Sequence, residues 1–184
     1  MEFADPRMEV EPRNRIVSLQ MQSSWKSDDE LFSTARRELF TAVVGDIMDQ
    51  MGLQRQFLPP AIQPLREDMV VIGRAMTVLE ADVVGTSEYL GKAGGVMGRA
   101  FGLMLEALDD LKTNEVYVCT GASPSYALWG ELMSARARML GAAGAVVDGY
   151  SRDTDGILKM GFPTFSYGRY AQDQAPRGKV VDFR

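Results

Sequence analysis

The chain contains no histidine among its 184 residues. This absence excludes Ser–His and Cys–His catalysis, histidine metal sites and imidazole general bases. Acid–base chemistry must therefore use carboxylates, tyrosine, lysine, the thiol or water. Any bound metal must accept oxygen ligands, which favours Mg²⁺, Mn²⁺ or Ca²⁺ over Zn²⁺.

Cysteine and long apolar runs are also scarce. Cys119 is the single cysteine, which excludes an intrachain disulfide, and it lies in the apolar run "VYVCTG". We interpret it as a small buried side chain, with a nucleophile as the alternative. No apolar run approaches the ~20 residues of a membrane span. Residues 1–15 also lack the apolar stretch of a signal peptide. These absences predict a cytoplasmic protein with no membrane partner.

Positive charge is in deficit, with 20 Lys and Arg against 25 Asp and Glu and a net charge of −5. An acidic surface repels phosphate backbones, so we expect no nucleic-acid partner. Hydrophobic residues make up 46% and charged residues 24%, which is typical of a soluble globular protein. The length suits one domain with a sizeable core.

The order of predicted elements indicates an α/β fold. We interpret residues 1–26 as an arm or a short leading helix and residues 27–184 as a single domain. Helices and strands are predicted from apolar spacing, caps and turn residues. The helices are 27–39, 41–52, 98–111 and 129–141, and the strands are 69–81, 115–120, 144–149 and 162–168. Their alternation implies βαβ units and a partly parallel sheet.

Two details of this assignment stay open. Gly73 is predicted to form a bulge in the first strand, and Thr41 to cap the second helix. The segment "GKVVDFR", residues 178–184, begins like a strand. It is expected to pair within the chain or across a subunit contact, or else to mark a shortened version of something longer.

The glycine-rich stretch "GTSEYLGKAGGVMGR" does not fit a nucleotide-binding motif. Five residues separate Gly85 from Gly91, where a P-loop has four, and Ala93 follows Lys92 where a P-loop has Ser or Thr. We interpret it as a loop before the next helix, in a place where it could cover an active site.

A candidate anion site begins at Gly130, where the helix 129–141 starts. The amides of Gly130, Glu131 and Leu132 have no partner inside the helix, and the helix dipole favours an anion beside them. Glycine lets a ligand approach the backbone closely. A solvated helix start is the alternative interpretation.

Arg152 and Asp153 follow the next strand along the chain, in "AVVDGYSRDTDG". Ligands bind outside the carboxyl ends of parallel strands, so this pair would face the Gly130 helix start if the two strands are neighbours. Arg152 could then fork onto a carboxylate while Asp153 holds a hard metal that polarises an adjacent carbonyl. A salt bridge within the loop is the alternative.

The stretch "WGELMSARARMLGAAGAVVDGYSRDTDG" resembles the family that contains the regulator of ribonuclease activity A and the 4-hydroxy-4-methyl-2-oxoglutarate aldolases. The shared pattern is a Gly-Glu-Leu helix start, a Gly-x-x-Gly strand entry, "VVDG" and "RD". The likeness covers about residues 35–184. It implies a swivelling β/β/α domain, an αββα-type sandwich with a partly parallel sheet, assembled as homotrimers or hexamers. Its enzymes are metal-dependent class II pyruvate aldolases.

Carried onto this chain, the resemblance implies a role for each matching residue. Arg152 would bind the pyruvoyl carboxylate or enolate of a small 2-oxo acid. Asp153 would ligate Mg²⁺ or Mn²⁺. The amides of Gly130, Glu131 and Leu132 would hold the substrate carboxylate. Oxaloacetate decarboxylation should accompany aldol cleavage, because both leave the same pyruvate enolate.

The chain also departs from the family pattern. Cys119 and Thr120 stand where members usually carry an acid that arranges metal-bound waters. Asp155 lies two residues after Asp153, where aldolases often have an acid three residues on. Longer members continue with C-terminal strands and a helix, and an acid from that region of a neighbouring subunit reaches the aldolase site. The resemblance implies that the chain lacks this region.

Three hypotheses follow. The first is a divalent-metal lyase acting on a small 2-oxo acid. The second is a non-catalytic, ring-shaped oligomer that binds and inhibits a ribonuclease, and the third is a member that folds and does little. The retained pair Arg152 and Asp153 favours the first. Roles for Tyr150, Asp155 and Arg169 stay open.

Overall fold

The computed structural model describes residues 25–83 and 101–184. Most of the predicted arm and the whole glycine-rich loop therefore lie outside the described residues. The described helices are α1 (Asp28–Glu38), α2 (Thr41–Gln50), α3 (Met104–Asp109), α4 (Glu131–Met139) and α5 (Thr154–Met160). The described strands are β1 (Gln63–Pro64), β2 (Arg74–Asp82), β3 (Glu115–Thr120), β4 (Ala127–Trp129), β5 (Gly144–Val147), β6 (Tyr150–Ser151), β7 (Thr164–Ser166) and β8 (Gly178–Phe183). Within these ranges, no helix combines the length and the apolar character needed to cross a membrane.

Six of these strands form one mixed sheet in the order β1-β7-β5-β3-β2-β8. The inner strands β7, β5, β3 and β2 pair in parallel, and both edge strands pair antiparallel. This arrangement confirms the predicted α/β class with a partly parallel sheet. It also places β3 beside β5. The prediction that Arg152 and Asp153 face the start of the Gly130 helix depended on these two strands being neighbours.

The apolar core lies against this sheet. Alternate residues of β2 point inward, so Met76, Val78 and Glu80 are buried. Trp129 packs at the centre of the core, with its ring 4.8 Å from the ring of Tyr117. Helix α4 contacts α3, α5 and β5, which brings the chain segments after β3 and β5 together.

A second, two-stranded sheet was not predicted. Strands β4 and β6 pair in parallel, with Trp129 opposite Ser151. The amide of Arg152 donates a hydrogen bond to the carbonyl of Trp129 at 2.9 Å. The short strands therefore hold Arg152 beside Gly130, which directly follows β4.

The structure corrects several local predictions. Strand β2 starts at Arg74, five residues later than predicted. Its irregularity lies between Leu79 and Glu80, and the predicted bulge at Gly73 is wrong. Helix α3 begins at Met104, after a turn in which the amide of Met104 donates a hydrogen bond to the carbonyl of Phe101 at 3.3 Å and Gly102 bridges to β8. The predicted start of this helix at residue 98 lies outside the described residues.

The predicted N-terminal cap is confirmed for α1 but not for α2. Ser27 caps α1 by accepting a hydrogen bond from the amide of Glu30 at 3.2 Å, as predicted. In α2 the cap position belongs to Phe40, and Thr41 is the first helical residue. The apolar spacing of α2 does not bury a face of the helix, since Gly45 is its buried residue.

The segment 178–184 pairs within the chain. Strand β8 lies antiparallel to β2 and covers that edge of the sheet. Val180 is 1% exposed, so β8 contributes directly to the core.

Candidate functional site

A cavity of about 450 Å³ opens between α3, α4 and the ends of β4 and β6. Its polar wall is formed by Gly130, Arg152, Asp153, Asp173 and Gln174. Four of the five predicted site residues therefore line one cavity, namely Gly130, Leu132, Arg152 and Asp153.

Arg152 lies between two carboxylates at the edge of the cavity. Its Nε atom is 3.4 Å from Asp153 Oδ2, and its Nη1 atom is 3.2 Å from Asp173 Oδ1. About a third of the arginine side chain is exposed, so a ligand in the cavity can reach it. The loop salt bridge considered as the alternative is thus present, but within a cavity wall. Asp173 was missed from sequence, because no motif surrounds it in "AQDQAP".

Gly130 leaves space beside Arg152 and Asp153. It occupies the cap position of α4, and no side chain caps the helix. A Cβ atom at Gly130 would lie 3.1 Å from Asp153 Oδ2 and 3.5 Å from Arg152 Cγ. The first amides of α4 have no partner inside the helix and can donate hydrogen bonds to a ligand.

Glu131 is placed differently from its neighbours. Its side-chain carboxylate lies against Gly156 of α5. It lines a neighbouring groove with Thr154 and Asp155. Glu131 is not among the residues that line the cavity, and the role assigned to its backbone amide stays a prediction.

Asp153 has a backbone conformation that favours glycine, with φ of +53°. Non-glycine residues held in this region are strained and are concentrated at functional sites. Its carbonyl accepts hydrogen bonds from the amides of Gly156 at 3.0 Å and Ile157 at 3.3 Å, which start α5. The start of α5 thus fixes the carboxylate beside Gly130.

The donor set limits what metal the site could hold. Among the described residues, no three carboxylates or thiols form a cluster suited to a metal ion. Mg²⁺ is commonly bound through one or two carboxylates, with water and substrate oxygens completing its shell. Asp153 fits that mode of binding. The charges also fit. Asp153 and Asp173 together carry −2 and Arg152 carries +1, so the group has a net negative charge. A divalent cation would offset this negative charge when an anionic substrate binds.

The other polar residues in and near the segment 145–156 have separate partners. Asp148 accepts hydrogen bonds from Thr120 Oγ1 at 2.7 Å and from the hydroxyl of Tyr167 at 2.6 Å. This contact raises the pKa of Tyr167. The ring of Tyr150 lies 5.8 Å from that of Tyr167 and 5.3 Å from that of Tyr170. These residues join β3, β5 and the loop after β7, and they do not line the cavity.

Asp155 and Arg169 form an exposed ion pair beside the site. Arg169 Nη1 is 3.4 Å from Asp155 Oδ1, and the two side chains are 62% and 81% exposed. Both line the groove next to the cavity that also holds Glu131. Neither contacts Arg152 or Asp153 through an ion pair in the described structure.

A buried carboxyl group lies behind the polar wall. Glu80 is 2% exposed and accepts a hydrogen bond from the side-chain amide of Gln174, a cavity residue. Burial raises the pKa of Glu80 to about 7, with the hydrogen bonds from Gln174 and Cys119 acting against the rise. The sequence did contain a pattern that predicts this burial, because Glu80 continues the inward alternation of Met76 and Val78.

Cys119 is 1% exposed, and its Sγ atom lies 3.9 Å from Glu80 Oε2. Burial and the nearby carboxyl raise the pKa of this thiol well above its ordinary value. A buried thiol that stays protonated is a poor nucleophile. The interpretation of Cys119 as a small buried side chain is confirmed.

Comparison with known sequences places these features in a wider context. A model of the RraA-like family, described as Aldolase/RraA, matches residues 41–182. Protein DlpA of Legionella pneumophila is 28% identical over 131 residues, which cover 71% of this chain and 19% of DlpA. The chain thus spans about a fifth of the length of that relative.

Solved structures show the same fold. One, described among novel cellulases from microbes associated with the gut ecosystem, has 29% identity and a TM-score of 0.71, covering 88% of this chain and 69% of that chain. RraAS2 of Streptomyces coelicolor, described as an unusual member of the RNase ES inhibitor RraA protein family, has a TM-score of 0.68. At 19% identity, with 86% of this chain and 73% of that chain covered, it supports the fold alone.

Proposed function

Because the chain belongs to the RraA-like family, we propose that it is a divalent-metal-dependent lyase that cleaves a 2-oxo acid through a pyruvate enolate. That family includes metal-dependent aldolases and decarboxylases as well as ribonuclease inhibitors, so membership alone does not choose between them. The observation that carries the proposal is the meeting of Gly130, Arg152 and Asp153 on one cavity wall.

The residues of the site have complementary tasks in this reaction. The guanidinium of Arg152 binds the substrate carboxylate, and the first amides of α4 donate hydrogen bonds to its remaining oxygens. When the carbon–carbon bond breaks, its electron pair moves into the enolate, whose negative charge faces these donors. A Mg²⁺ or Mn²⁺ ion held by Asp153 would supply further positive charge for the enolate.

The test is the release of pyruvate from oxaloacetate and from 4-hydroxy-4-methyl-2-oxoglutarate, measured with Mg²⁺, with Mn²⁺ and with EDTA. We expect release that needs the metal and stops with EDTA. Asp153→Asn should lower kcat/KM by at least about a hundredfold, because it removes the carboxylate proposed to hold the metal ion, and losing one electrostatic stabiliser of the enolate commonly costs that much. Asp155→Asn is the matched control, since Asp155 is exposed and pairs with Arg169 outside the cavity. It should retain the activity of the unmodified protein.

Metal-dependent release that persists in Asp153→Asn would contradict the assigned role of this carboxylate. A folded protein that releases no pyruvate from any 2-oxo acid, yet inhibits a ribonuclease, would instead favour the non-catalytic regulator. Light scattering on the same preparation tests the accompanying proposal that the chain assembles as a homotrimer or hexamer.

A further inference from the structure

We propose that the substrate of this site is a 4-hydroxy-2-oxo monocarboxylate with an apolar aliphatic or aromatic group at C4, an inference that rests on the proposed function. The 2-oxo acids with a second carboxylate, such as oxaloacetate, would then be poorer substrates. The inference comes from the wall of the cavity that lies away from Arg152 and Asp153.

That wall is apolar. Its side chains come from α3, from the residues just before it and from the first turn of α4, and they are Phe101, Met104, Leu105, Leu108, Leu132 and Met133. Two of them expose much of their surface, with Leu105 at 58% and Leu132 at 84%. A ligand that covers them removes apolar surface from water, which is favourable for an apolar group and unfavourable for a charged one.

The charges on this side of the cavity are already compensated. Arg136 lines the cavity, but its Nε atom lies 2.8 Å from Asp109 Oδ1, and Asp109 lines the cavity too. Arg152 and Arg136 are the cations that line it within the described ranges. A second substrate carboxylate would therefore meet an ion pair of no net charge. It would lack the first amides of α4 and the metal ion proposed at Asp153, both of which would help Arg152 to bind the pyruvoyl carboxylate.

The size of the cavity agrees with a larger substituent. Small-molecule sites commonly enclose about 300–1,000 Å³, and this cavity measures about 450 Å³. A pyruvoyl group is a three-carbon fragment and fills only the part beside Arg152. The remaining space lies against the apolar wall, where the C4 substituent would be placed.

The reaction is a redox-neutral aldol cleavage. The C4 hydroxyl gives up its proton to water as its oxygen becomes the carbonyl of the departing aldehyde. The C3–C4 bond breaks, and its electron pair forms the C2–C3 double bond of the pyruvate enolate. A proton then adds to C3, so the products are pyruvate and an apolar aldehyde.

The experiment compares three substrates with Mg²⁺ and the full chain: 4-hydroxy-2-oxo-4-phenylbutanoate, 4-hydroxy-5-methyl-2-oxohexanoate and 4-hydroxy-2-oxoglutarate. We expect kcat/KM for the two apolar substrates to exceed that for the diacid by at least about tenfold. A single methylene group in an apolar pocket commonly changes kcat/KM by at least that factor. Binding of the uncleavable analogues 2-oxo-4-phenylbutanoate and 2-oxoglutarate, measured by calorimetry, should show the same order.

A pair of leucine variants tests the role of the wall. Leu105→Arg places a cation on it and should lower the ratio of apolar to diacid kcat/KM at least tenfold. Leu58→Arg is the matched control, because Leu58 is 55% exposed and lies away from the cavity. It should leave the ratio unchanged.

The possible results separate this inference from the proposed function. Cleavage of the diacid as fast as, or faster than, the apolar substrates would overturn the inference while the lyase function stands. Absence of cleavage with every substrate, together with tight binding of 2-oxo-4-phenylbutanoate, would overturn the lyase function while retaining an apolar ligand site. Absence of both cleavage and binding would overturn both.

Discussion

Glu80 is a carboxyl group that β2 places inside the core, 2% exposed. Burial disfavours its charged form, and this raises its pKa from 4.5 to about 7. Its partner Gln174 lies on the cavity wall next to Asp173, which contacts Arg152. One buried side chain therefore links the core of the sheet to the segment that holds the guanidinium.

The protonation of Glu80 makes stability depend on pH. Because its pKa is higher in the folded state, its contribution is complete below about pH 4.5 and is lost as pH rises through about 7. We expect the free energy of unfolding to fall by about 3 kcal/mol between these limits. Urea unfolding at pH 5 and pH 8 measures most of this fall. Carboxyl groups with a lowered pKa, such as Asp82, titrate below this window.

The control for this prediction is a pair of glutamine variants. Glu80→Gln replaces the carboxyl by a neutral group of similar shape and should remove most of the fall. Glu67→Gln changes an exposed residue and should retain it. An unchanged pH dependence in Glu80→Gln would assign the effect to other groups.

The start of α4 is the element on which the site depends. Strand β4 leads into Gly130, while its partner β6 leads into Arg152, so a short parallel pair aligns the helix amides with the guanidinium. The φ of Gly130 is −154°, an extended conformation that other residues also adopt. Glycine is needed here for space, because a side chain would meet the carboxylate of Asp153.

Gly130→Ala should therefore impair the reaction more than the fold. The added methyl group would lie 3.1 Å from Asp153 Oδ2 and displace it from the helix start. We expect kcat/KM for metal-dependent pyruvate release to fall at least about tenfold, since small displacements in a preorganised site are costly. The loss of stability should be about 1 kcal/mol, as for other unfavourable cap substitutions.

Ser27→Ala provides the comparison for this variant. It removes the hydrogen bond that caps α1, on an element that does not line the cavity. It should cost a similar free energy of unfolding and leave activity intact. Equal losses of activity in the two variants would mean that Gly130 acts only through stability.

At the scale of the whole molecule, strand order decides where the site lies. The parallel neighbours β3 and β5 direct their following segments to the same edge of the sheet, where β4 and β6 meet. Strand β8 covers the opposite side of β2 and places Val180 in the core. The final strand therefore belongs to the same cooperative core as the strands that position the site.

Because β8 packs into the core, substitutions at two adjacent valines of this strand should differ in their effect on the free energy of unfolding. Val180 is 1% exposed and Val181 is 37% exposed. Val180→Ala should lower the free energy of unfolding by about 2 kcal/mol, from lost burial and the cavity left behind. Val181→Ala should change it by less than about 0.5 kcal/mol. Urea unfolding of both variants measures the difference, and equal effects would show that β8 is not packed as described.

Much of the local structure was predictable from the sequence. The caps and apolar spacing identified α1, α4 and the strands β3, β5 and β7, because these patterns depend on neighbours within a few residues. Gly130, Arg152 and Asp153 were identified because they follow core strands in a βαβ order. The burial of Glu80 was predictable in principle from the period of two along β2.

The tertiary structure decided the rest. The pairing of β4 with β6, the approach of Asp173 to Arg152 and the contact of Gln174 with Glu80 join segments far apart in the chain. Short polar stretches such as "AQDQAP" carry no periodicity that could predict those contacts. The sequence by itself determined the α/β class and the residues available for chemistry, since both depend on local pattern. Which of those residues share a cavity depends on how distant segments pack, and only the folded chain determines that.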